Sequence, residues 1–336
     1  MKKINFAVVG YGHIGKRHAE MIIRNNYSNL IAVCDILSPE QLNLESIPCP
    51  FYKDIKTMLN NHPEIDVVNI ATPNGFHFSN TIEVLDYKKH VVIEKPLALS
   101  KDEAEKIIDK SIKLNKDVFA VMQNRFSPPS VWIKELVSSK ILGEIYMIQL
   151  NCYWNRDERY YKPNSWHGDK KLDGGTLFTQ FSHFIDILYW LFGDINNING
   201  NFFDFNHKKL TDFEDSGIIT FDLNNGAKGV ISFSTSIWNK NLESSLTIIA
   251  ENGSVKIGGQ YMEKVEYCHV KNYSMPKLAP TNPGNDYGHY KGSAQNHHYV
   301  IENVIDVLNN NKQISTTVYE GMKVVDIIER IYNSVD

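Results

Sequence analysis

One short segment near the start of the chain constrains the fold more than any other. The apolar run Ile4–Val9 is typical of a β-strand, and Gly10-Tyr11-Gly12-His13-Ile14-Gly15 separates it from a helical pattern. In such a unit the first glycine allows a tight turn, the second lets the backbone approach a phosphate, and the third lets the helix pack on the strand. The free N–H groups at the start of the helix favour an anion. The segment therefore predicts a dinucleotide site formed by Gly10, Gly12, His13, Ile14 and Gly15.

A carboxylate at the end of the second predicted strand narrows the choice of dinucleotide. The strand covers Leu30–Cys34, and Asp35 follows it about twenty residues after the last glycine. A carboxylate there accepts hydrogen bonds from ribose hydroxyls and repels a 2′-phosphate, so NAD is predicted rather than NADP. The alternative is an ordinary glycine-rich turn, with Asp35 as a turn residue.

Length and composition exclude several classes of protein. The 336 residues suffice for two hydrophobic cores, and a net charge of −4 does not indicate a nucleic-acid surface. The four cysteines are scattered without metal-binding spacing, which is typical of free thiols in a reducing compartment. No run approaches the roughly twenty apolar residues of a membrane span. We expect a cytoplasmic protein without a membrane or nucleic-acid partner.

The pattern of apolar runs predicts two domains. Up to residue 122, strands and helices alternate, which indicates a doubly wound parallel sheet, an α/β Rossmann domain. The predicted strands are 4–9, 30–34, 66–71, 90–93 and 118–122, and the predicted helices are 13–24, 54–60, 77–88 and 100–114. Residues 123–336 are predicted to form an α+β domain on an open-faced, mainly antiparallel sheet, and an alternative is that the last helices pack back on the first domain. Its predicted strands are 143–154, 216–223, 228–237, 244–250 and 253–258, and its predicted helices are 130–138, 174–190, 294–309 and 319–333.

Two loops follow strands of the predicted parallel sheet, at the edge where such sheets bind ligands. Glu94 and Lys95 follow the strand 90–93, so we expect Lys95 beside the cofactor, where partial desolvation and the positive nicotinamide suit it to acid–base work. The turn residues Thr72, Pro73, Asn74 and His77 are predicted to contact the nicotinamide ribose. The alternatives are a solvated surface lysine and a plain connecting loop.

A polar stripe marks the predicted helix 174–190. Thr176, Thr179, Gln180 and His183 fall on one face of a helix that is otherwise rich in Phe, Ile, Leu and Trp. Buried polar groups need partners, and the hydroxyls of a substrate would supply them. A satisfied core histidine is the alternative for His183.

Together these segments resemble the Gfo/Idh/MocA oxidoreductases. The motifs are Gly10-x-Gly12-x-x-Gly15, Glu94-Lys95-Pro96, and Gly174-Gly175 followed by His183-Phe184-Ile185-Asp186. The resemblance implies a nicotinamide cofactor, a sugar or cyclitol substrate, homodimers or homotetramers formed through the open sheet, and Lys95 with His183 as the catalytic pair. Asn124 and Trp166 are implied as further cofactor contacts. Thr179 occupies a position where many members carry an aspartate, so no Asp–His pair is expected in this helix.

A finer resemblance is to the UDP-N-acetylglucosaminuronate 3-dehydrogenases of surface-polysaccharide pathways. It is carried by the segments 159–168, 287–293 and 320–325, and it implies a nucleotide sugar as substrate. Arginine forks, including that of Arg156, suit carboxylate or phosphate, and tyrosines suit a base or sugar face. The predicted substrate-binding residues are Arg159, Tyr160, Tyr161, Lys162, Thr179, Gln180, His183, Tyr287, His289 and Lys291. The adjacent His297 and His298 lack the cysteine or glutamate spacing of a metal site, and no metal is predicted.

Two other functions fit the same sequence. One is a dehydrogenase of a free sugar or inositol. The other is a non-catalytic sensor that binds NAD, although such a sensor would need neither Lys95 nor His183.

Overall fold

The computed structural model describes residues 2–44, 49–163, 165–288 and 290–334. The chain forms two compact units. The first contains Met1–Val121 and His297–Val325, and the second contains Met122–Asn296 and Asp326–Asp336. None of the helices in the described ranges is both long and apolar enough to cross a membrane.

The first unit is built on a parallel sheet. Its described strands have the order β3-β2-β1-β4-β5-β6 and all pair in parallel. They are β1 (Ile4–Val9), β2 (Ser28–Cys34), β3 (Phe51–Tyr52), β4 (Val67–Ile70), β5 (His90–Ile93) and β6 (Val118–Ala120). The helices are α1 (His13–Arg24), α2 (Ile55–Asn61), α3 (His77–Asp86), α4 (Lys101–Leu114) and α8 (His297–Asn310), and α9 (Val318–Tyr332) contributes residues to both units.

The predicted Rossmann fold is confirmed. Strands β4 and β5 are almost entirely buried, as expected for strands with helices on both faces. Ser100 caps α4, since its side chain accepts a hydrogen bond from the Glu103 backbone N–H at 3.3 Å. The short edge strand β3 was not predicted, because two residues give no readable alternation.

The second unit is built on a mixed sheet. Its described strands have the order β13-β12-β11-β7-β10-β9-β8, in which only the β7–β10 pair is parallel. They are β7 (Ile145–Tyr153), β8 (Ile195–Phe203), β9 (Ser216–Leu223), β10 (Lys228–Ser234), β11 (Glu243–Ala250), β12 (Gly253–Gly258) and β13 (Lys264–Val270), with a separate hairpin of β14 (Gly284–Asp286) and β15 (Lys291–Ala294). The helices are α5 (Pro128–Ser138), α6 (Lys170–Asp173) and α7 (Ser182–Phe192).

One face of the mixed sheet carries α7. The rings of Phe181 and Phe184 lie 5.5 and 5.6 Å from that of Trp154 at the end of β7, and Phe181 lies 5.8 Å from Phe233 on β10. The mainly antiparallel sheet was predicted, but β8 and β13 were not. Their polar and mixed sequences lack the alternation that indicates a strand.

Candidate active site

The glycine turn after β1 leaves room for a phosphate. Gly10 has a φ of +85°, and a Cβ on it would lie 2.6 Å from the Ala71 carbonyl carbon. A Cβ on Gly15 would lie 1.8 Å from the Gly10 oxygen, whereas a Cβ on Gly12 would meet nothing within 4 Å. Thus two glycines are required by the fold, and the third faces open space at the start of α1. No side chain caps that helix at Gly12, so its first N–H groups, at His13 and Ile14, suit an anion.

Asp35 is held in place at the end of β2. Its Oδ2 accepts a hydrogen bond from the Tyr11 backbone N–H at 2.7 Å, and its Oδ1 accepts one from the Leu37 N–H at 2.8 Å. The carboxylate is therefore tied to the glycine turn itself. The glycine cradle and this fixed acid together fit the pyrophosphate and ribose of NAD.

His77 joins the two loops at the carboxyl edge of the parallel sheet. Its Nε2 lies 2.9 Å from the Thr72 carbonyl oxygen, and its Nδ1 lies 2.6 Å from the Pro96 carbonyl oxygen. The ring is buried, and burial lowers its pKa. Asn80 donates to the Thr72 hydroxyl at 3.0 Å, and Pro73 and Asn74 begin a short 3-10 turn. Since both nitrogens of His77 face carbonyl groups of the chain, its predicted contact with the cofactor stays a prediction.

Glu94 lies in a buried cluster next to Lys95. Its Oε1 is 2.7 Å from His18 Nε2 and 3.3 Å from His297 Nε2, and its Oε2 accepts from the Lys95 N–H at 3.2 Å. Burial alone raises the pKa of Glu94, but the hydrogen bonds and charges of the two histidines outweigh it, and the pKa lies well below its usual range. The Glu94 carboxylate is therefore ionised. Its predicted contact with the cofactor stays a prediction.

The polar stripe does not lie on a regular helix. Residues Leu177–Phe181 form a π-helical turn that precedes α7, where one continuous α-helix was predicted. Such turns are frequent at functional sites. The altered winding gives the stripe residues different partners: Thr179 Oγ1 donates to the Asp173 carbonyl oxygen at 2.8 Å and to the Asp173 carboxylate, whereas Gln180 joins another group of residues. His183 is buried in the first turn of α7.

Arg156 organises that second group. Its Nε donates to Gln180 Oε1 at 2.7 Å, and its Nη2 donates to the Lys291 carbonyl oxygen at 3.2 Å. The guanidinium carbon lies 5.1 Å from the centre of the Tyr160 ring and 5.0 Å from that of Tyr290. Gln180 Nε2 also donates to the Tyr160 hydroxyl at 2.8 Å. The structure thus joins three segments that the sequence predicted to bind substrate.

The Arg156 guanidinium has hydrogen-bond acceptors but, among the described residues, no carboxylate partner, since its Nη1 donates to the Asn155 carbonyl oxygen at 2.6 Å and to Asn241 Oδ1 at 3.2 Å. It is 2 % exposed, and in the described ranges no carboxylate forms an ion pair with it. Burial lowers its pKa, while the neighbouring tyrosines act in the opposite direction. A buried cation without an acidic partner favours a negative charge in its surroundings.

The other predicted substrate residues have varied environments. Arg159 pairs with Asp157 at 2.6 Å, which contributes to lowering the Asp157 pKa to about 2, and Lys162 is exposed. Tyr161 is buried, and Tyr287 stacks on Tyr290 with ring centres 4.8 Å apart. Lys291 Nζ lies 4.0 Å from the Asp286 carboxylate. His289 lies outside the described residues.

The two cofactor contacts implied in the second unit also have neighbours there. Asn124 Nδ2 donates to Ser293 Oγ at 3.4 Å, and the Trp166 ring centre lies 3.8 Å from that of His167. Neither observation tests contact with NAD, so both assignments stay predictions.

Sequence reasoning missed four residues that organise these sites. Asp173 accepts from Thr179, and Tyr290 packs on Arg156. His18 and His297 contact Glu94. An acid just before a glycine pair was a usable signal for Asp173, but nothing local links positions 18 and 297 to position 94.

Family models match most of the chain. Residues 4–121 match the oxidoreductase family with an NAD-binding Rossmann fold, and residues 131–256 match the Gfo/Idh/MocA C-terminal domain. The D-glucoside 3-dehydrogenase of Escherichia coli is 32% identical over 146 residues, which cover 43% of this chain and 42% of that protein.

Two solved structures are similar over nearly the whole chain. The WlbA dehydrogenase from Bordetella pertussis, in complex with NADH and UDP-GlcNAcA, is 26% identical, with a TM-score of 0.85 and coverage of 99% of this chain and 96% of that one. The WlbA dehydrogenase from Chromobacterium violaceum, with the same two ligands, is 27% identical, with a TM-score of 0.85 and coverage of 99% and 94%. The chain is thus an NAD-dependent oxidoreductase of the sugar dehydrogenase type, and it belongs to the Gfo/Idh/MocA family.

Proposed function

We propose that this enzyme oxidises a secondary hydroxyl of a nucleotide sugar acid with NAD⁺, at C3 of UDP-N-acetylglucosaminuronate, in the synthesis of a surface polysaccharide. The observation that carries the acidic substrate is the buried guanidinium of Arg156, which has no carboxylate partner in the described ranges and lies among the predicted substrate residues. The similarity to two dehydrogenases solved with NADH and UDP-GlcNAcA supports the same substrate class. A neutral free sugar would leave that charge without an anionic partner.

In the proposed reaction the hydroxyl carbon loses a hydride and the hydroxyl oxygen loses a proton. NAD⁺, when bound, supplies the hydride acceptor. Lys95, as its neutral amine, accepts the proton at Nζ and becomes the ammonium, while His183 orients the hydroxyl. The proposal requires Lys95 Nζ and the His183 ring to meet at one substrate hydroxyl. A crystal structure with NADH and UDP-GlcNAcA tests that requirement directly.

A single-turnover assay tests the reaction. Stoichiometric enzyme, NAD⁺ and UDP-N-acetylglucosaminuronate should give the absorbance of NADH, and single-turnover conditions detect it even if the cofactor stays bound and is recycled. Lys95→Ala should lower the rate by about 100-fold or more, the usual contribution of a general base. Lys113→Ala is the matched control, because Lys113 is exposed on α4.

A substrate panel separates this proposal from its alternatives. UDP-glucose and UDP-N-acetylglucosamine lack the carboxylate, and glucose and myo-inositol lack the nucleotide. Activity on free sugars alone would contradict the nucleotide-sugar assignment. Tight NAD binding without turnover of any compound would favour the sensor. Unchanged activity in Lys95→Ala would contradict the assigned role of Lys95 as the proton acceptor.

We also propose that the open face of the mixed sheet forms a homo-oligomer. Met147, Ile218 and Ile249 share one face of the sheet by register, and they are 52%, 49% and 43% exposed. Exposed apolar side chains on one face of a sheet favour a protein interface. Light scattering should report a dimer or tetramer, and Met147→Asp should shift it toward the monomer. A monomeric wild-type protein would contradict this proposal.

A further inference from the structure

Three buried side chains from distant parts of the first unit meet at one carboxylate. His18 lies on α1, Glu94 follows β5, and His297 begins α8. Their side chains are 1%, 7% and 2% exposed. The two imidazole rings lie edge to face with centres 5.5 Å apart. Such a cluster costs free energy to bury unless each charge and each donor has a partner.

The hydrogen bonds determine where the protons lie. The Asn69 side-chain amide donates to His18 Nδ1 at 2.7 Å, so the His18 proton lies on Nε2 and is donated to Glu94 Oε1 at 2.7 Å. His297 Nε2 is 3.3 Å from the same carboxylate oxygen. Glu94 Oε1 therefore accepts a hydrogen bond from His18 and lies within ion-pair distance of His297.

The second oxygen of Glu94 fixes the main chain of the neighbouring residue. Glu94 Oε2 accepts from the Lys95 backbone N–H at 3.2 Å. On the other side of Lys95, the Pro96 carbonyl oxygen is 2.6 Å from His77 Nδ1. The backbone of Lys95 is thus held by buried side chains before and after it, and the direction of the Glu94 carboxylate determines one of these two contacts.

We propose that His18 and His297 are positioning residues for Lys95. By fixing the Glu94 carboxylate they hold the Lys95 backbone, and this keeps the Lys95 amino group in one place for proton transfer. The proposal rests on the role of Lys95 in the proposed function. According to this proposal, α8 affects the reaction rate through His297, although the helix is far from Lys95 in the sequence.

The same three side chains are also of the types that bind zinc or iron. Their ligand atoms all lie within 4.8 Å of one another. However, two ligands at about 2.1 Å in a tetrahedral site are separated by roughly 3.4 Å. The 2.7 Å between Glu94 Oε1 and His18 Nε2 is instead the length of a hydrogen bond. The distance therefore favours a hydrogen bond between His18 and Glu94 over a metal ion bound by both.

Two substitutions of His297 distinguish its role as a hydrogen-bond donor from its role in filling space in the core. His297→Gln keeps an amide donor near the position of the imidazole Nε2, whereas His297→Leu fills a similar volume without a donor. Val300→Ala is the matched control, since Val300 is a buried side chain on the same helix and makes no contact of this kind. We expect His297→Leu to lower kcat by about 10- to 100-fold, the range produced by misplacing a reacting group by up to 1 Å. The KM for NAD should change little. His297→Gln should retain most of kcat, and Val300→Ala should lower the melting temperature without affecting kcat.

A second measurement does not depend on the substrate. Competitive acetylation at several pH values, followed by mass spectrometry, reports the reactivity of Lys95 against that of the exposed Lys56 in the same sample. His297→Leu should change the Lys95 profile and leave the Lys56 profile unaltered, and His297→Gln should resemble the wild type. If no nucleotide sugar is turned over, the proposed function fails, but the acetylation profile of Lys95 still tests whether His297 positions that residue.

Three results would overturn the proposal. The first is a wild-type kcat and Lys95 profile in His297→Leu. The second is an equal loss in the Leu and Gln variants, which would show that the donor is not what matters. The third is a stoichiometric metal ion in the purified protein, measured by elemental analysis, that disappears in His297→Leu.

Discussion

A buried ion pair in the second unit offers a quantitative test of how the α7 helix is held. Arg125 Nε and Nη2 donate to Asp186 Oδ2 and Oδ1 at 2.8 and 2.6 Å. The two side chains are 4% and 0% exposed. Asp186 lies one helical turn after His183, so the pair anchors the helix that carries a predicted catalytic residue. We expect Asp186→Leu to destabilise this unit, because it leaves a buried guanidinium without its counter-charge.

The size of the effect follows from the burial. Removing one member of a buried pair costs about 3–5 kcal/mol, which corresponds to a fall of about 6–20 °C in the melting temperature of a unit of this size. Replacing both members, with Arg125→Met and Asp186→Leu, removes the uncompensated charge. The double variant should therefore recover most of the lost stability.

Tryptophan fluorescence isolates the relevant transition. All five tryptophans, Trp132, Trp154, Trp166, Trp190 and Trp238, belong to the second unit. Asp222→Asn is the matched control, because its partner Lys228 is 67% exposed and such pairs contribute at most about 1 kcal/mol. The reasoning is refuted if Asp186→Leu shifts the transition no more than Asp222→Asn, or if the double variant is no more stable than the single one.

Three further predictions concern the cofactor turn and a buried acid. Gly12→Ala should weaken NAD binding by about tenfold or more in calorimetric titration. It should leave the melting temperature unchanged, because the added Cβ meets no protein atom within 4 Å. Gly15→Ala should lower the melting temperature as well, because its Cβ would lie 1.8 Å from the Gly10 oxygen. Asp35→Ser should lower the affinity for NAD and raise that for NADP, and unchanged selectivity would contradict the assigned role. Burial raises the pKa of Glu214 from its usual 4.5 to about 7, so the contribution of this group to the stability of the second unit is fully present below about 4.5 and is lost as the pH rises through about 7. Glu214→Gln should abolish this component in tryptophan-monitored unfolding.

The sequence by itself determined the fold class and the cofactor. Alternating buried strands and helices predicted the parallel sheet, and the spacing of three glycines and one acid predicted NAD; the fold and the cofactor are both confirmed. These features could be read because each depends on residues close together in the chain. Glycine conformation, helix capping and strand alternation depend on neighbouring residues, so they can be recognised in the sequence alone.

Only the tertiary structure decided which polar side chains are joined. The Glu94 carboxylate contacts His18 and His297, which the sequence separates widely, and no sequence pattern indicated these contacts. The π-helical turn after Thr176 gave the polar stripe separate partners, and a uniform helical period could not predict that change. Hydrogen bonds and ion pairs depend on distances of a few ångströms between segments far apart in the chain, and no local pattern encodes those distances.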